Sequence, residues 1–338
     1  MVGCRQQERF LVKTIIHAGS LKTGSTYLQS VIWRNLHAFE NVGILVPQTG
    51  VVSHHHYDVA RAAGFGYPAQ QLRDDKAAEI LGALSQELSG REEGVALLSS
   101  EHFDLGVSEK SVLRLLQTLA GHDVRVVIYL RNQVDLMQSL YFEYLKWGGV
   151  KDFASFTAHT LNQGTLAYDV RISKWVDAGV DVCGLDYNVE RADLLGSLLA
   201  EIPGAPPQDE LILPGAPVNE SLSPEAMEYV REMNARMSSP ADRRAFYEKF
   251  YATMHRRQSP WTKSRLLPLP AVLADALPGL SQRNRRLADM LGKGEDFLQG
   301  DLVAYAAQRG ERDTLDMAAF RADLEDLGMP SLAQSADA

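Results

Sequence analysis

Apolar positions along the first two-thirds of the chain follow two alternating periods. Short, mostly apolar runs at 10–17, 43–46, 95–99, 124–130 and 180–185 read as strands covered on both faces. The clearest is Val124-Arg125-Val126-Val127-Ile128-Tyr129-Leu130, almost continuously apolar and β-branched. Between the runs the spacing turns helical. Leu28, Val31, Ile32 and Leu36 share one face, as do Met137, Leu140, Tyr141 and Tyr144, and further helices are predicted at 74–88, 109–120, 169–178 and 191–200. Strands alternating with helices predict an α/β fold of three layers, with a central parallel sheet between helices.

After about residue 201 the pattern changes. A stretch rich in Pro and Gly at 202–217 leads into helical patterns at 224–237, 241–257 and 282–291, and no further strand is predicted. The chain contains no internal repeat. It reads as a single domain over 1–338, with an α/β core at about 8–201 and a helical portion at about 218–330. The last eight residues carry no pattern that would order them.

Composition narrows the classes of function. The 338 residues are 45% hydrophobic and 23% charged, as in ordinary globular proteins. No stretch has the roughly 18 apolar residues of a membrane helix, so no membrane insertion is expected. Charge in Met1-Val2-Gly3-Cys4-Arg5-Gln6-Gln7-Glu8-Arg9 arrives before a signal-peptide core could form. The two cysteines, Cys4 and Cys183, do not suggest a disulfide framework, and a cytoplasmic location is expected. A net charge of −9 disfavours nucleic acid as a partner. A locally positive pocket for a small anion stays compatible with it.

Such a pocket is predicted after the first strand. In His17-Ala18-Gly19-Ser20-Leu21-Lys22-Thr23-Gly24-Ser25-Thr26-Tyr27-Leu28-Gln29 a glycine turn runs into a helix opened by two hydroxyl residues. This puts backbone N–H groups and the positive helix end around an anion. Gly19 and Gly24 have the separation of a Walker A loop, but Ser25 stands where a nucleotide hydrolase has its lysine. The lysine is Lys22, inside the loop.

This run resembles the 5'-phosphosulfate-binding loop of sulfotransferases, in the form common among bacterial members. The resemblance implies a P-loop nucleotide-hydrolase-like sulfotransferase fold with a substrate-facing helical portion. It also implies 3'-phosphoadenosine 5'-phosphosulfate (PAPS) as co-substrate, with no metal. Gly19, Lys22, Thr23, Gly24, Ser25 and Thr26 would hold its 5' end. A second family signature is a buried strand ending in arginine, with a serine eight positions later. Val126-Val127-Ile128-Tyr129-Leu130-Arg131 and Ser139 fit it, and the resemblance assigns Arg131 and Ser139 to the 3'-phosphate. Guanidinium geometry suits that task. Weaker likenesses lie in 168–175 with Asp186-Tyr187, in Val218-Asn219-Glu220-Ser221-Leu222-Ser223 and in Asn284-Arg285-Arg286-Leu287-Ala288.

Sulfonate transfer is an in-line displacement in which charge grows on the oxygen leaving with the 5'-phosphate, where Lys22 would stabilise it. The acceptor must lose a proton. Glu101, just past the carboxyl end of the strand at 95–99, is the first candidate base, because that position faces the ligand crevice of a parallel sheet. Its neighbour His102 is the second. The family uses either a glutamate or a histidine. His54-His55-His56 reads as a polar loop rather than a metal cluster, with one member available to an acceptor pocket. His17 reads as a brace for the loop. Tyr57, Phe65, Tyr67, Trp147 and Trp261 suit either a pocket or the core. Two other readings stay open: a P-loop kinase using ATP and Mg²⁺, and a catalytically silent nucleotide-binding protein. Neither the acceptor, whether alcohol, phenol, carbohydrate or amine, nor the oligomeric state is legible.

Overall fold

The computed structural model describes residues 12–89, 94–215, 222–262, 267–300, 302 and 315–326. The predicted strand residues Phe10 and Leu11, together with Cys4, lie outside them, as do residues 218–221 and the last eight residues. The described chain forms two compact units.

The first unit takes the described residues within Met1–Arg131, Ala167–Pro217 and Arg283–Leu298. Its centre is a parallel sheet of β1 (Lys13–His17), β2 (Ile44–Leu45), β3 (Val95–Ser99), β4 (Asp123–Leu130) and β5 (Asp181–Asp186), in the order β2-β3-β1-β4-β5. The α/β class with a central parallel sheet is therefore as the alternating pattern predicts. β1 leads towards β2 on one side, while β3 leads back across β1 to β4. Such a reversal opens a ligand crevice at the carboxyl ends of neighbouring strands.

Helices α1 (Ser25–Arg34), α2 (Leu36–Asn41), α3 (Tyr57–Ala63), α4 (Asp74–Leu88) and α5 (Glu109–Thr118) belong to this unit. Against one sheet face Leu28, Val31 and Ile32 of α1 and Phe39 of α2 pack on Ile15, Leu97, Val127 and Tyr129. Each such side chain contributes roughly 1.5–3 kcal/mol when fully buried. Among α3, β3's following turn and a later helix, Phe65 stacks on Trp175 at 5.3 Å and meets Phe103 edge-on at 5.6 Å. Phe65 is thus core.

The second unit takes the described residues within Asn132–Leu166, Val218–Gln282 and Gln299–Ala338. It begins with α6 (Gln133–Lys146) and α7 (Phe153–Asn162). The first unit then resumes with α8 (Tyr168–Asp177), α9 (Tyr187–Glu190) and α10 (Leu194–Ala200). Later come α11 (Pro224–Arg236), α12 (Pro240–Arg256), α13 (Ala271–Met290) and α14 (Met317–Asp326). No strand follows residue 201 among the described residues. In the second unit Tyr229 meets Phe250 at 5.3 Å and Phe320 at 5.9 Å, and Tyr141 meets Phe153 at 5.0 Å. Buried Asn234 donates to Leu145 O and Gly149 O, both at 2.9 Å, tying α11 to the end of α6.

Helix α13 starts eleven residues before the predicted 282. Pro278 inside it breaks the sequence pattern, since an interior proline costs roughly 3 kcal/mol. Burial of Leu273, Ala274, Leu277 and Leu280 along one face offsets that cost.

Candidate active site

The carboxyl end of β1 is pinned on both sides before the chain turns. Ala18 N–H donates to Val127 O at 2.9 Å, and Ser100 N–H donates to His17 O at 3.1 Å. His17 is the register partner of Ser99, and its Nδ1 lies 2.8 Å from Ser99 Oγ. Burial pushes the His17 imidazole down to about 4, so the ring is neutral at pH 7.

Beyond Ala18 the backbone passes through two left-handed residues, Lys22 at φ 63° and Gly24 at φ 80°. For a lysine this conformation costs on the order of 1 kcal/mol and persists only where contacts hold it. Two such contacts are Thr23 Oγ1–H donating to Ser20 O at 2.6 Å and Arg131 Nη1 donating to Lys22 O at 3.0 Å. A Cβ on Gly19 would lie 2.2 Å from Ser25 Oγ, and one on Gly24 would lie 2.7 Å from Leu194 Cδ1. The two glycines are steric requirements of the loop.

The loop delivers the chain into α1 with Gly24 as its cap, and no side chain bonds there. Side chains of Ser108, Asn132, Asp152 and Ser223 cap α5, α6, α7 and α11, whereas α2, α3, α4 and α8 start without a side-chain cap, as α1 does. The first turn of α1 therefore presents its amides and positive end without a side-chain cap, as an anion site requires. Ser25 is buried, and its Oγ has no hydrogen-bond partner among the described residues. Thr26 is exposed and Lys22 half-buried. The Thr23 hydroxyl is turned inward onto the loop's own carbonyl, so its side chain shapes the loop.

Glu101 opens a short 3₁₀ turn, Glu101–Asp104, directly after β3. Because His17 and Ser99 are level across the sheet, Glu101 leaves it alongside the start of the loop. It is half-buried. His102 points into an aromatic group, with Tyr57 edge-on at 4.3 Å and His55 at 6.3 Å. Desolvation, then His55 and Arg61, push His102 down to about 4. At pH 7 the His102 ring is therefore neutral.

The three consecutive histidines separate. His54 stacks near Trp33 at 6.2 Å, and His55 faces Tyr57 and His102. His56 is buried: its Nδ1 accepts from Ser99 N–H at 3.0 Å, while Nε2 lies 2.8 Å from Pro47 O. They form no shared centre, and among the described residues no His, Cys, Asp and Glu group is arranged for a metal ion.

Arg131 follows β4, half-buried, with its guanidinium 5.2 Å from the centroid of the Tyr187 ring. Its Nε has no partner among the described residues. Ser139 is half-buried on α6 in the second unit. Of the predicted aromatics, Tyr57 lies beside His102, Tyr67 and Trp147 are exposed, and Trp261 donates from Nε1 to Asp323 Oδ2 at 2.8 Å.

The sequence did not single out Asp104. Its carboxylate is buried, accepts from Ser20 Oγ–H and is gripped by Arg171, Nε to Oδ1 at 3.1 Å and Nη2 to Oδ2 at 3.0 Å. A carboxylate three residues past the candidate base was the available signal. Its partner lies 67 positions on, with no spacing rule to connect them.

The sequence matches no protein-family model and no curated protein. Among solved structures the fold is similar to a sulfotransferase from Alicyclobacillus acidocaldarius, at 11% identity and a TM-score of 0.48, over 83% of this chain and 96% of that one. It is also similar to a chain of the PezAT chromosomal toxin–antitoxin system of Streptococcus pneumoniae, at 14% identity and a TM-score of 0.27, over 67% of this chain and 86% of that one. At these scores neither likeness bears on the reading of the site. No helix among the described residues is long and apolar enough to cross a membrane.

Proposed function

We propose that the protein is a sulfotransferase that moves a sulfonate group from PAPS to an acceptor hydroxyl or amine, releasing adenosine 3',5'-bisphosphate. One observation carries the reading: an anion loop whose lysine, Lys22, stands before the second glycine, while Ser25, buried against Gly19, occupies the position of the nucleotide-hydrolase lysine. An uncapped α1 and the unpartnered Ser25 hydroxyl suit a 5'-phosphate at this loop. The resemblance to the sulfotransferase loop supplies the identity of the donor.

In this reading the loop amides and the hydroxyls of Ser25 and Thr26 hold the 5'-phosphate, and Thr23 contributes its backbone. Arg131 meets the 3'-phosphate, with Ser139 the other member of that family signature. The acceptor oxygen or nitrogen attacks sulfur as the bond from sulfur to the 5'-phosphate oxygen breaks. Lys22 stabilises the charge that grows on that oxygen. Glu101 takes the acceptor's proton, and His102, packed edge-on against Tyr57, contributes surface. A reducing, cytoplasmic setting accords with the sparse cysteines.

Incubation with labelled PAPS and a panel of alcohols, phenols, sugars and amines tests the proposal. Label transferred to an acceptor, with stoichiometric bisphosphate released, is the expected outcome. Transfer of phosphate from Mg-ATP instead would replace this reading by a kinase.

A further inference from the structure

Asp104 is an unusual neighbour for an anion site, because a bare carboxylate there would repel the ligand. Burial makes a bare charge costlier still. Arg171 removes both problems. Its fork takes both carboxylate oxygens, leaving a neutral pair that still offers Ser20 a strong acceptor. The same arginine lies 5.0 Å from the centroid of the Tyr168 ring. Tyr168 OH donates to Arg131 O at 2.8 Å, and Arg131 Nη1 donates to Lys22 O. These contacts close a circuit: Ser20, Asp104, Arg171, Tyr168, Arg131, Lys22. It leaves the loop at one residue and re-enters it two residues later, after passing through the turn beyond β3, helix α8 and the end of β4.

We infer that Asp104, neutralised by Arg171, is a positioning residue that holds the loop at Ser20 while the same circuit holds it at Lys22. The loop's left-handed bend is thereby fixed before any ligand arrives, which spares the ligand the entropy of ordering it. A second consequence follows for Ser20. Its proton is committed to Asp104, so its hydroxyl serves the loop and not the phosphate. The inference rests on reading Gly19 to Thr26 as the donor's phosphate loop.

The test compares hydrogen–deuterium exchange of the full chain without ligand, then equilibrium binding of adenosine 3',5'-bisphosphate in EDTA. Ser20→Ala removes one hydroxyl and leaves the ion pair; Ser20→Thr keeps the hydroxyl. Asp104→Leu/Arg171→Met removes the acceptor without stranding a buried charge. Loop peptides spanning residues 18–27 should exchange roughly tenfold faster in Ser20→Ala, the worth of one charge-assisted hydrogen bond, with β4 unchanged. Ser20→Thr should restore the parent rate. In the Asp104→Leu/Arg171→Met background, Ser20→Ala should add nothing further. Bisphosphate affinity should fall with loop protection. Parent-like exchange in Ser20→Ala, or full additivity with the double variant, would overturn the inference. The expected exchange pattern across the variants, with a parent that binds no bisphosphate, would uphold the brace and sink the donor reading alone.

Discussion

Arg131 donates from Nη1 to the carbonyl oxygen of Lys22 at 3.0 Å, across 109 positions of sequence. The arginine at the end of β4 thus helps to hold the left-handed backbone that carries the loop lysine. Its Nε, without a partner among the described residues, remains for a further acceptor. Arg131→Ala should therefore weaken bisphosphate binding and also loosen the loop.

We expect Arg131→Ala to cost at least tenfold in bisphosphate affinity, from a charged hydrogen bond of roughly 1.5–3 kcal/mol. Arg131→Lys should recover little, because an ammonium lacks the planar fork. Ser139→Ala tests the other half of that sequence signature and should show a smaller loss. Isothermal calorimetry reads all three, and parent affinity in Arg131→Ala would remove that residue from the donor site.

Proton transfer and charge stabilisation separate by substitution. Glu101→Gln should lower turnover by about 10²–10⁴-fold with bisphosphate affinity nearly unchanged. His102→Gln should be mild. Lys22→Ala should lose about 10²–10³-fold whichever residue is the base. Single-turnover rates with PAPS measure these effects; an active Lys22→Ala enzyme would refute the mechanism.

Much of the fold was legible in the sequence, for reasons that particular residues make plain. Strand β4 announced itself because burial on both faces demands an unbroken apolar run. The turn from β1 into α1 was legible because Gly19 and Gly24 mark a close bend that a side chain would block. Asp104 and Arg171 were illegible: a buried ion pair depends on where β3 and α8 meet, which no local pattern encodes. The inward turn of Thr23 was likewise hidden, since a loop hydroxyl looks the same in sequence whether it faces ligand or backbone. The start of α13 was obscured by Pro278, whose local cost is outweighed by burial that only the packed unit supplies.

Two glycines with the same backbone bend should behave differently. Gly43, at φ +82°, has nothing within 4 Å of a built Cβ, whereas Gly24, at φ +80°, has Leu194 Cδ1 at 2.7 Å. Gly43→Ala should cost about 1 kcal/mol of stability and leave binding intact. Gly24→Ala should cost more and abolish bisphosphate binding. Urea unfolding and calorimetry distinguish them, and equal behaviour would contradict the close packing of the loop on α10.

Acid should weaken the first unit through His17 and His56, both held near 4 chiefly by burial. The unfolded chain protonates these rings near 6.5 and so binds more protons between about pH 6.5 and 4. Their contribution is whole above 6.5 and falls as pH drops through that window. At pH 5 the loss is on the order of 1–2 kcal/mol for each histidine. His17→Gln should flatten the difference between urea unfolding at pH 7 and pH 5; an undiminished difference would show that the ring titrates normally in the folded protein.

Donor binding without metal is read by a thermal-shift titration in EDTA. Adenosine 3',5'-bisphosphate at about 100 times its dissociation constant should stabilise the fold by roughly 2.7 kcal/mol without any divalent metal. In a parallel titration without EDTA, ATP with Mg²⁺ should give a much smaller shift, because Ser25 stands in the place of the lysine that would reach its terminal phosphates. Stabilisation by Mg-ATP, with none by the bisphosphate, would contradict PAPS as the donor.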